Sequence, residues 1–274
     1  MRVGMWLAGL AVSLVGMAAA CAAPLEAYGR LPTGDLPEIS PDGTKIAAVI
    51  TNDEGSTIIV TRLADNKLLS AAQAGRIKVR YLRWAGPENV LIITSETQRI
   101  IGLTNPRDEY LMVQNLDLTT NRARPMMTDV KDKETMNVIR GEPDVRIIDG
   151  QPAVLVRGVA FNGDRGYSSV FRLGVKTNST KVIAQGGPLT RRWIIGQDGD
   201  VLAQSTYDDK TKRWALKAHG ADGWREVVVV DTSGDEDAGL VGLGRTPDTL
   251  LIWTSTKGVP RYEEVQVAGG ARKV

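Results

Sequence analysis

Apolar and polar residues alternate with a period of two along much of the chain beyond residue 35, for example over residues 57–61 and 111–116. Successive side chains of a strand point to opposite faces, so this pattern predicts half-buried β-strands. Shorter, evenly apolar stretches stand beside them, such as residues 46–50 and 90–94, and these predict the inner strands of a sheet. Helical periodicity is almost absent, so the chain is expected to be all-β.

Tight turns separate these stretches at a regular spacing. The clearest is Ser40-Pro41-Asp42-Gly43, where proline presets φ, aspartate bonds to nearby backbone and glycine accepts the positive φ that closes a hairpin. Further turns of this set are predicted at Gly86-Pro87-Glu88, Asp149-Gly150-Gln151, Gln197-Asp198-Gly199 and Thr246-Pro247-Asp248. A second set follows in step, near residues 65–66, 119–121, 177–178, 220–223 and 269–270.

Four strands recurring at a period of roughly fifty residues are typical of a β-propeller blade. We therefore predict a β-propeller of about five four-stranded blades, in which each blade buries its faces against its neighbours. The second and third units are longer, which predicts a long hairpin loop over residues 96–107 and a charged stretch between blades over residues 128–142. A β-sandwich of the same strands is the alternative.

The first 22 residues have the composition of a signal peptide. Arg2 supplies the positive charge, residues 5–17 form an apolar segment, and residues 18–22 are small, as a cleavage site requires. We expect residues 1–22 to be a signal peptide and residues 23–274 to form the propeller domain. The protein is then exported, with the periplasm as the expected location.

Cys21 is the sole cysteine, which excludes an intrachain disulfide. It is either discarded with the signal peptide or lipidated, because small residues precede it as in bacterial lipoproteins. The apolar segment is shorter than the ~20 residues that a membrane span needs. Membrane attachment is therefore expected only if Cys21 is lipidated, which would make the protein an envelope-anchored lipoprotein.

Charge is balanced over the whole chain, with 34 Lys and Arg against 32 Asp and Glu, and a formal net charge of +2. Basic residues are scattered, with no run longer than a pair such as Arg191-Arg192. A nucleic-acid partner is not expected from this balance.

Several segments together resemble a known family: Tyr28-Gly29-Arg30-Leu31-Pro32, the Ser40–Gly43 turn, Gly102-Leu103 with Pro106-Arg107, and the stretch from Asp208 to Trp214. They are similar to the N-terminal β-propeller of exported bacterial prolyl oligopeptidase-family serine peptidases, with the acylaminoacyl-peptidase-like branch as the closest fit. The resemblance implies a propeller of seven or eight blades, so this one looks incomplete. It also implies a role in filtering the peptides that reach a separate catalytic domain.

In that family the catalytic α/β-hydrolase domain carries serine on a G-x-S-x-G turn, followed by Asp and then His. This chain stops at Val274, without that motif. We therefore expect a non-catalytic module, a peptidase truncated before its catalytic domain, whose partners are peptides or a separately encoded hydrolase domain. Two other hypotheses remain: a free-standing binding or scaffold propeller of the cell envelope, and a reading frame that continues downstream into the hydrolase.

Candidate chemistry within the chain is sparse. The nearest look-alike of a nucleophile turn, Gly166-Tyr167-Ser168-Ser169-Val170, lacks the second glycine, and the sole histidine, His219, falls in a predicted hairpin turn. One histidine and one cysteine exclude an ordinary zinc site, and Asp198-Gly199-Asp200 lacks the ligand spacing of a calcium loop. No catalytic residue, metal site or cofactor is predicted.

Glu263 and Glu264 are the candidates for peptide binding. The resemblance suggests this role, because some related peptidases hold the amino terminus of a substrate with paired glutamates. The two residues follow one another on a predicted strand, so their side chains are expected to point to opposite faces.

Overall fold

The computed structural model describes residues 34–98, 107–130 and 135–273. In these ranges the regular structure is all strand apart from a 3₁₀ turn at Thr128–Val130, which confirms the predicted all-β class. No helix in the described ranges is long and apolar enough to cross a membrane. The predicted signal peptide and Cys21 lie outside the described residues.

Five successive groups of four antiparallel strands, here called blades 1 to 5, follow one another along the chain. Blade 1 contains β1 (Gly34–Ile39), β2 (Lys45–Asn52), β3 (Gly55–Arg62) and β4 (Leu68–Gly75). Blade 2 contains β5 (Lys78–Trp84), β6 (Asn89–Gln98), β7 (Asp108–Asp117) and β8 (Arg122–Pro125). Blade 3 contains β9 (Thr135–Ile148), β10 (Gln151–Asn162), β11 (Arg165–Leu173) and β12 (Thr180–Gln185).

Blade 4 contains β13 (Thr190–Ile195), β14 (Val201–Asp208), β15 (Arg213–Gly220) and β16 (Gly223–Asp231). Blade 5 contains β17 (Glu236–Leu243), β18 (Thr249–Thr256), β19 (Val259–Gln266) and β20 (Arg272–Lys273). Each strand pairs with the next within its blade, so the predicted repeat of four-stranded units is confirmed over the described residues.

Blades 2 and 3 differ from the expected separate units, because they merge into one eight-stranded sheet. The link is a single pairing between Leu111 of β7 and Ile139 of β9. The charged stretch predicted over residues 128–142 is correct only in part, since β9 already begins at Thr135 and pairs with β10 over that length. Val138 and Ile139 are buried in this extension, which gives it an apolar reason to be strand.

The hairpin loop predicted over residues 96–107 is shortened by strand at its amino-terminal end, and β7 begins directly after its last residue. Pairing between β6 and β7 continues up to Gln98 and Asp108. The remaining loop residues, 99–106, lie outside the described ranges.

Four apolar clusters join each blade to the next. The cluster between blades 1 and 2 includes Val60 and Leu82, and that between blades 2 and 3 includes Ile93 and Phe171. Trp193 fills the cluster between blades 3 and 4. The cluster between blades 4 and 5 is formed by Ala203, Trp214, Leu216, Leu240, Leu250, Ile252 and others.

Strand β6 explains why the inner strands are evenly apolar. Its residues Val90 and Ile92 belong to the cluster shared with blade 1, whereas Leu91 and Ile93 belong to the cluster shared with blade 3. Both faces of an inner strand are thus covered by apolar neighbours, so no polar face remains to produce an alternating pattern.

The first β-turn is held by the carboxylate of Asp42. Its Oδ1 accepts hydrogen bonds from Ser40 Oγ at 2.5 Å, Thr44 N at 3.1 Å and Thr44 Oγ1 at 2.9 Å. Lys45 Nζ lies 3.6 Å from Oδ2. The hydrogen bond from Ser40, followed by those from Thr44, lowers the pKa of Asp42 from 3.8 to about 2.

We expect Asp42→Asn to change how stability depends on pH. A lowered folded-state pKa means that the Asp42 carboxylate stabilises the fold above pH 3.8, and that this stabilisation is lost as the pH falls through about 2. The melting temperature of the variant should therefore be below that of the unsubstituted protein at neutral pH, and the two should converge in acid. Thermal melts of both proteins from about pH 6 to about pH 2 measure this. A difference that stays constant across this range would contradict the assignment.

Candidate functional site

The first strands of neighbouring blades carry a chain of charged side chains that crosses the blade boundaries. Arg83 of β5 forms ion pairs with Glu38 of β1 and with Glu142 of β9, and so connects blades 1, 2 and 3. The indole nitrogen of Trp84 adds a hydrogen bond of 2.9 Å to the backbone oxygen of Glu38. Glu142 Oε1 is buried, and its contact with Arg83 is ionic rather than a well-aligned hydrogen bond.

The same charged row continues towards blade 4 through β9. Asp144 lies 2.8 Å from Arg157 of β10 and 3.2 Å from Arg146. The Nε atom of Arg146 reaches the backbone oxygen of Gly196, beside the first turn of blade 4, at 3.4 Å. Together these side chains are called the first-strand charge network, which consists of Glu38, Arg83, Glu142, Asp144, Arg146 and Arg157. Its carboxylates and guanidinium groups form ion pairs with one another, so among the described residues the network offers no unpaired base for proton transfer.

We expect Arg83→Met to weaken the contact among the first three blades by about 1–2 kcal/mol, because two part-buried carboxylates lose their partner. The arginine side chain is 38% exposed, and solvent screening keeps the effect modest. Urea denaturation of the purified protein measures the loss. Arg62→Met is the matched control, since its pair with Asp65 lies within one turn and should contribute no more than about 0.5 kcal/mol. Equal losses in the two variants would show that the network does not hold the blades.

The two candidate glutamates lie on β19, and both are engaged by the protein's own arginines. Glu264 accepts hydrogen bonds from the backbone nitrogen of Arg245 at 2.6 Å and from its Nε at 3.0 Å. The Arg245 side chain, followed by its backbone amide, lowers the pKa of Glu264. Glu263 accepts a 2.5 Å hydrogen bond from Thr254 Oγ1 and lies 3.5 Å from Arg272. They do not form a joint site, because they pair with different groups, and their role in peptide binding stays a prediction.

The sole histidine lies near the end of β15, directly opposite Trp224 of β16. Its ring is 4.7 Å from that of Trp224, which contacts the ring of Trp193 edge-on at 5.8 Å. The imidazole forms no hydrogen bond to a serine or a carboxylate of the described residues. A cleft of about 420 Å³ beside it is lined by Asp222, Arg225 and Asp248.

The other motifs are all built into strands or turns. Ser168 and Ser169 lie within β11, and Ser169 is fully buried with its hydroxyl donating to the backbone oxygen of Tyr167. Asp198 caps its own turn by accepting from the backbone nitrogen of Asp200 at 3.1 Å. Among the described residues, no group of three or more His, Cys, Asp or Glu side chains is arranged to hold a metal ion.

Sequence reasoning missed the first-strand charge network. The arginines were visible only as scattered basic residues, because Arg83 and Glu38 are 45 positions apart. A signal was available in retrospect: β5 and β9, the first strands of neighbouring blades, each carry arginine.

No protein-family model matches the chain, and no curated protein matches it. Among solved structures, the dipeptidyl peptidase 4 of Porphyromonas gingivalis superposes with a TM-score of 0.54 at 10% identity, covering 89% of this chain and 39% of that one. An oligogalacturonate lyase in complex with manganese gives 0.51 at 10% identity, covering 89% and 65%. The acylaminoacyl peptidase of Pyrococcus horikoshii gives 0.43 at 11% identity, covering 89% and 38%.

At these identities the likeness concerns the fold. The chain has the β-propeller architecture found in prolyl oligopeptidase-family peptidases such as the dipeptidyl peptidase, which confirms the predicted propeller. The chain spans less than two thirds of the length of each of these proteins. The score of the acylaminoacyl peptidase is too low to decide a branch, so that branch remains a prediction.

Proposed function

We propose that this chain is an exported, non-catalytic β-propeller module that binds peptides and gates their access to a hydrolase domain. The hydrolase would be a separate domain or polypeptide, as the sequence resemblance implies. The fold shared with the propeller of a dipeptidyl peptidase supports the general module. The finer statement, that the chain performs no hydrolysis itself, is our proposal.

The observation that carries this proposal is the position of His219. A serine hydrolase needs a base within hydrogen-bond reach of its nucleophile, oriented by a third group. Here the only histidine of the sequence packs against Trp224 with tilted rings 4.7 Å apart, on an outer pair of strands. Its ring therefore packs against Trp224 and is not placed to activate a serine among the described residues.

The test is activity-based labelling of the purified full chain. We expect no labelling by a fluorophosphonate probe and no turnover of peptide or ester substrates above that of Ser168→Ala and His219→Ala variants. Turnover that a serine-reactive phosphonate abolishes would overturn the proposal. Binding of short peptides, followed by fluorescence anisotropy, should remain in the unsubstituted protein and in His219→Ala.

Export is part of the same proposal and has its own test. The complete chain expressed in a bacterial host should appear in the periplasmic fraction with residues 1–22 removed. If Cys21 is lipidated instead, the protein should fractionate with membranes, and Cys21→Ser should release it. Retention of the intact precursor in the cytoplasm would contradict the proposal.

A second candidate is a scaffold propeller of the cell envelope, favoured by exposed apolar side chains on the terminal blades. Ile39 of β1 is 62% exposed, and Val259 and Tyr262 of β19 are 60% and 62% exposed. Such side chains suit a protein–protein contact. Sedimentation of the purified chain, together with the anisotropy titration of peptides, distinguishes the two functions. Peptide binding by a monomer favours gating, whereas self-association without peptide binding favours the scaffold.

A further inference from the structure

A cleft of about 430 Å³ lies where blade 3 meets blade 4. One wall is the β10–β11 hairpin, and the other is the segment from Gly187 to Arg191 that leads into β13. The glycine before this segment lets it approach closely, because a Cβ at position 186 would lie 2.3 Å from the backbone oxygen of Ser168. The cleft is therefore formed by the packing of two blades against each other and not by a single loop.

Three arginines line this cleft, and two of them have no partner among the residues that the structure describes. Arg191 lies 3.0 Å from Asp209 and donates to the backbone oxygen of Pro188 at 3.1 Å. Neither Arg140 nor Arg165 forms an ion pair or a side-chain hydrogen bond with any described residue. Asp164 is the one carboxylate in the lining. Two unpaired guanidinium groups against one carboxylate leave the cleft with excess positive charge.

The strand register places one of these arginines beside an apolar floor. Arg140 of β9 is opposite Arg157 of β10, so the two side chains share a face. Arg157 is already held by Asp144 at 2.8 Å, which leaves Arg140 as the available cation of the pair. Val159 follows two positions after Arg157 and is therefore on the same face, opposite Ser168. This floor is buried and lowers the local dielectric, which strengthens a charge interaction above it.

Ser168 supplies a further donor at this place. Its Oγ accepts a hydrogen bond from the indole nitrogen of Trp193 at 3.2 Å, which uses one lone pair and leaves the hydroxyl hydrogen to donate. The hydroxyl hydrogen has no acceptor among the described residues. Gly166 leaves space between β11 and Val159, because a Cβ at position 166 would lie 2.7 Å from Val159 Cγ1.

We propose that the cleft between blades 3 and 4 is a binding site for a carboxylate, with Arg140 and Arg165 pairing with the anion and Ser168 Oγ donating a hydrogen bond to it. A planar carboxylate matches the fork of an arginine, which binds it through two parallel hydrogen bonds. The carboxylate can come from a free organic acid or from the C-terminus of a peptide. The site itself goes beyond the proposed function, and only the peptide source rests on it.

Isothermal titration of the full chain tests the site with three probes: succinate, trialanine and trialanine amide. We expect succinate and trialanine to bind the unsubstituted protein with a Kd near or below about 1 mM. The double variant Arg140→Gln/Arg165→Gln should weaken the binding of succinate and of trialanine by about tenfold or more. Ser168→Ala should weaken it by a smaller factor. Arg172→Gln, which removes an exposed charge of β11 outside the cleft, is the matched control and should change neither by more than about twofold.

The outcomes separate the two sources and the two proposals. Succinate binding without trialanine binding supports the site with a free acid as ligand and counts against peptide gating. Trialanine binding that its amide does not share supports a peptide carboxylate. An equal loss of affinity in Arg172→Gln and in the double variant overturns the site. The absence of binding by both succinate and trialanine at about 1 mM also overturns it. If the double variant does not fold, Arg165→Gln at the exposed hairpin end replaces it and should still weaken binding severalfold.

Discussion

Trp193→Ala is expected to cost about 3–5 kcal/mol of folding free energy, a large share of the ~5–15 kcal/mol that keeps a typical domain folded. Trp193 is fully buried and fills the cluster between blades 3 and 4, where it packs with Val170 and Ile195. Its indole nitrogen also donates towards Ser168. Alanine leaves a cavity at the junction that neither blade can close, because each is held in its own sheet.

Urea denaturation followed by circular dichroism measures this loss. Trp224→Ala is the matched control, because that indole is 39% exposed and contacts Trp193 only edge-on, so about 1 kcal/mol is expected. Trp193→Phe retains a ring but loses the donor to Ser168, and should fall between the two. If the two alanine variants unfold at the same urea concentration, the buried indole is not what holds blades 3 and 4 together.

Gly158→Ala should destabilise the junction of blades 2 and 3 by about 1–3 kcal/mol although it adds a single methyl group. A Cβ at this position of β10 would lie 2.8 Å from the backbone oxygen of Val138 and 2.9 Å from Cε2 of Phe171. The ring of Phe171 is fully buried, and the Val138 oxygen belongs to a paired strand, so neither can move without loss. The clash is therefore relieved only by shifting the sheet.

Gly242→Ala provides the control within another strand. A Cβ on Gly242 meets no atom within 4 Å, so this substitution should be neutral or stabilise by up to about 1 kcal/mol through the unfolded chain. Phe171→Leu combined with Gly158→Ala should cost less than the sum of the single changes, since a smaller side chain makes room for the methyl group. Thermal and urea unfolding of Gly158→Ala, Gly242→Ala, Phe171→Leu and the double variant measure these changes in the free energy of unfolding. A Gly158→Ala protein as stable as Gly242→Ala would contradict the packing at this junction.

The strands and turns were predictable because their causes are local. Asp42 binds its own turn and Gly43 adopts a φ of 68°, as the Pro-Asp-Gly sequence predicted. The evenly apolar run of β6 was also predicted as an inner strand, and the structure covers both of its faces. The beginning of β9 was not predicted, because residues 135–142 are polar enough to suggest a loop and become strand only beside β10.

The candidate site was harder to predict than the fold. Glu263 and Glu264 were predicted to point to opposite faces of one strand, and each carboxylate is taken by a different arginine. Arg140 and Arg165 looked unrelated in the sequence, whereas the fold brings both to one cleft. Side-chain partners depend on which strands become neighbours, and residue types along one strand do not contain that information.

The amino-acid order by itself determined the class of the protein: the two-residue alternation and the recurring turn residues act within a few positions and require strands in repeated units. Only the tertiary structure decided that blades 2 and 3 share one sheet, that Arg83 connects three blades, and that two arginines face an open cleft. The physical reason is range. Backbone conformation responds to adjacent residues, whereas charge pairing and cavity shape arise between groups that the fold brings together from distant parts of the chain.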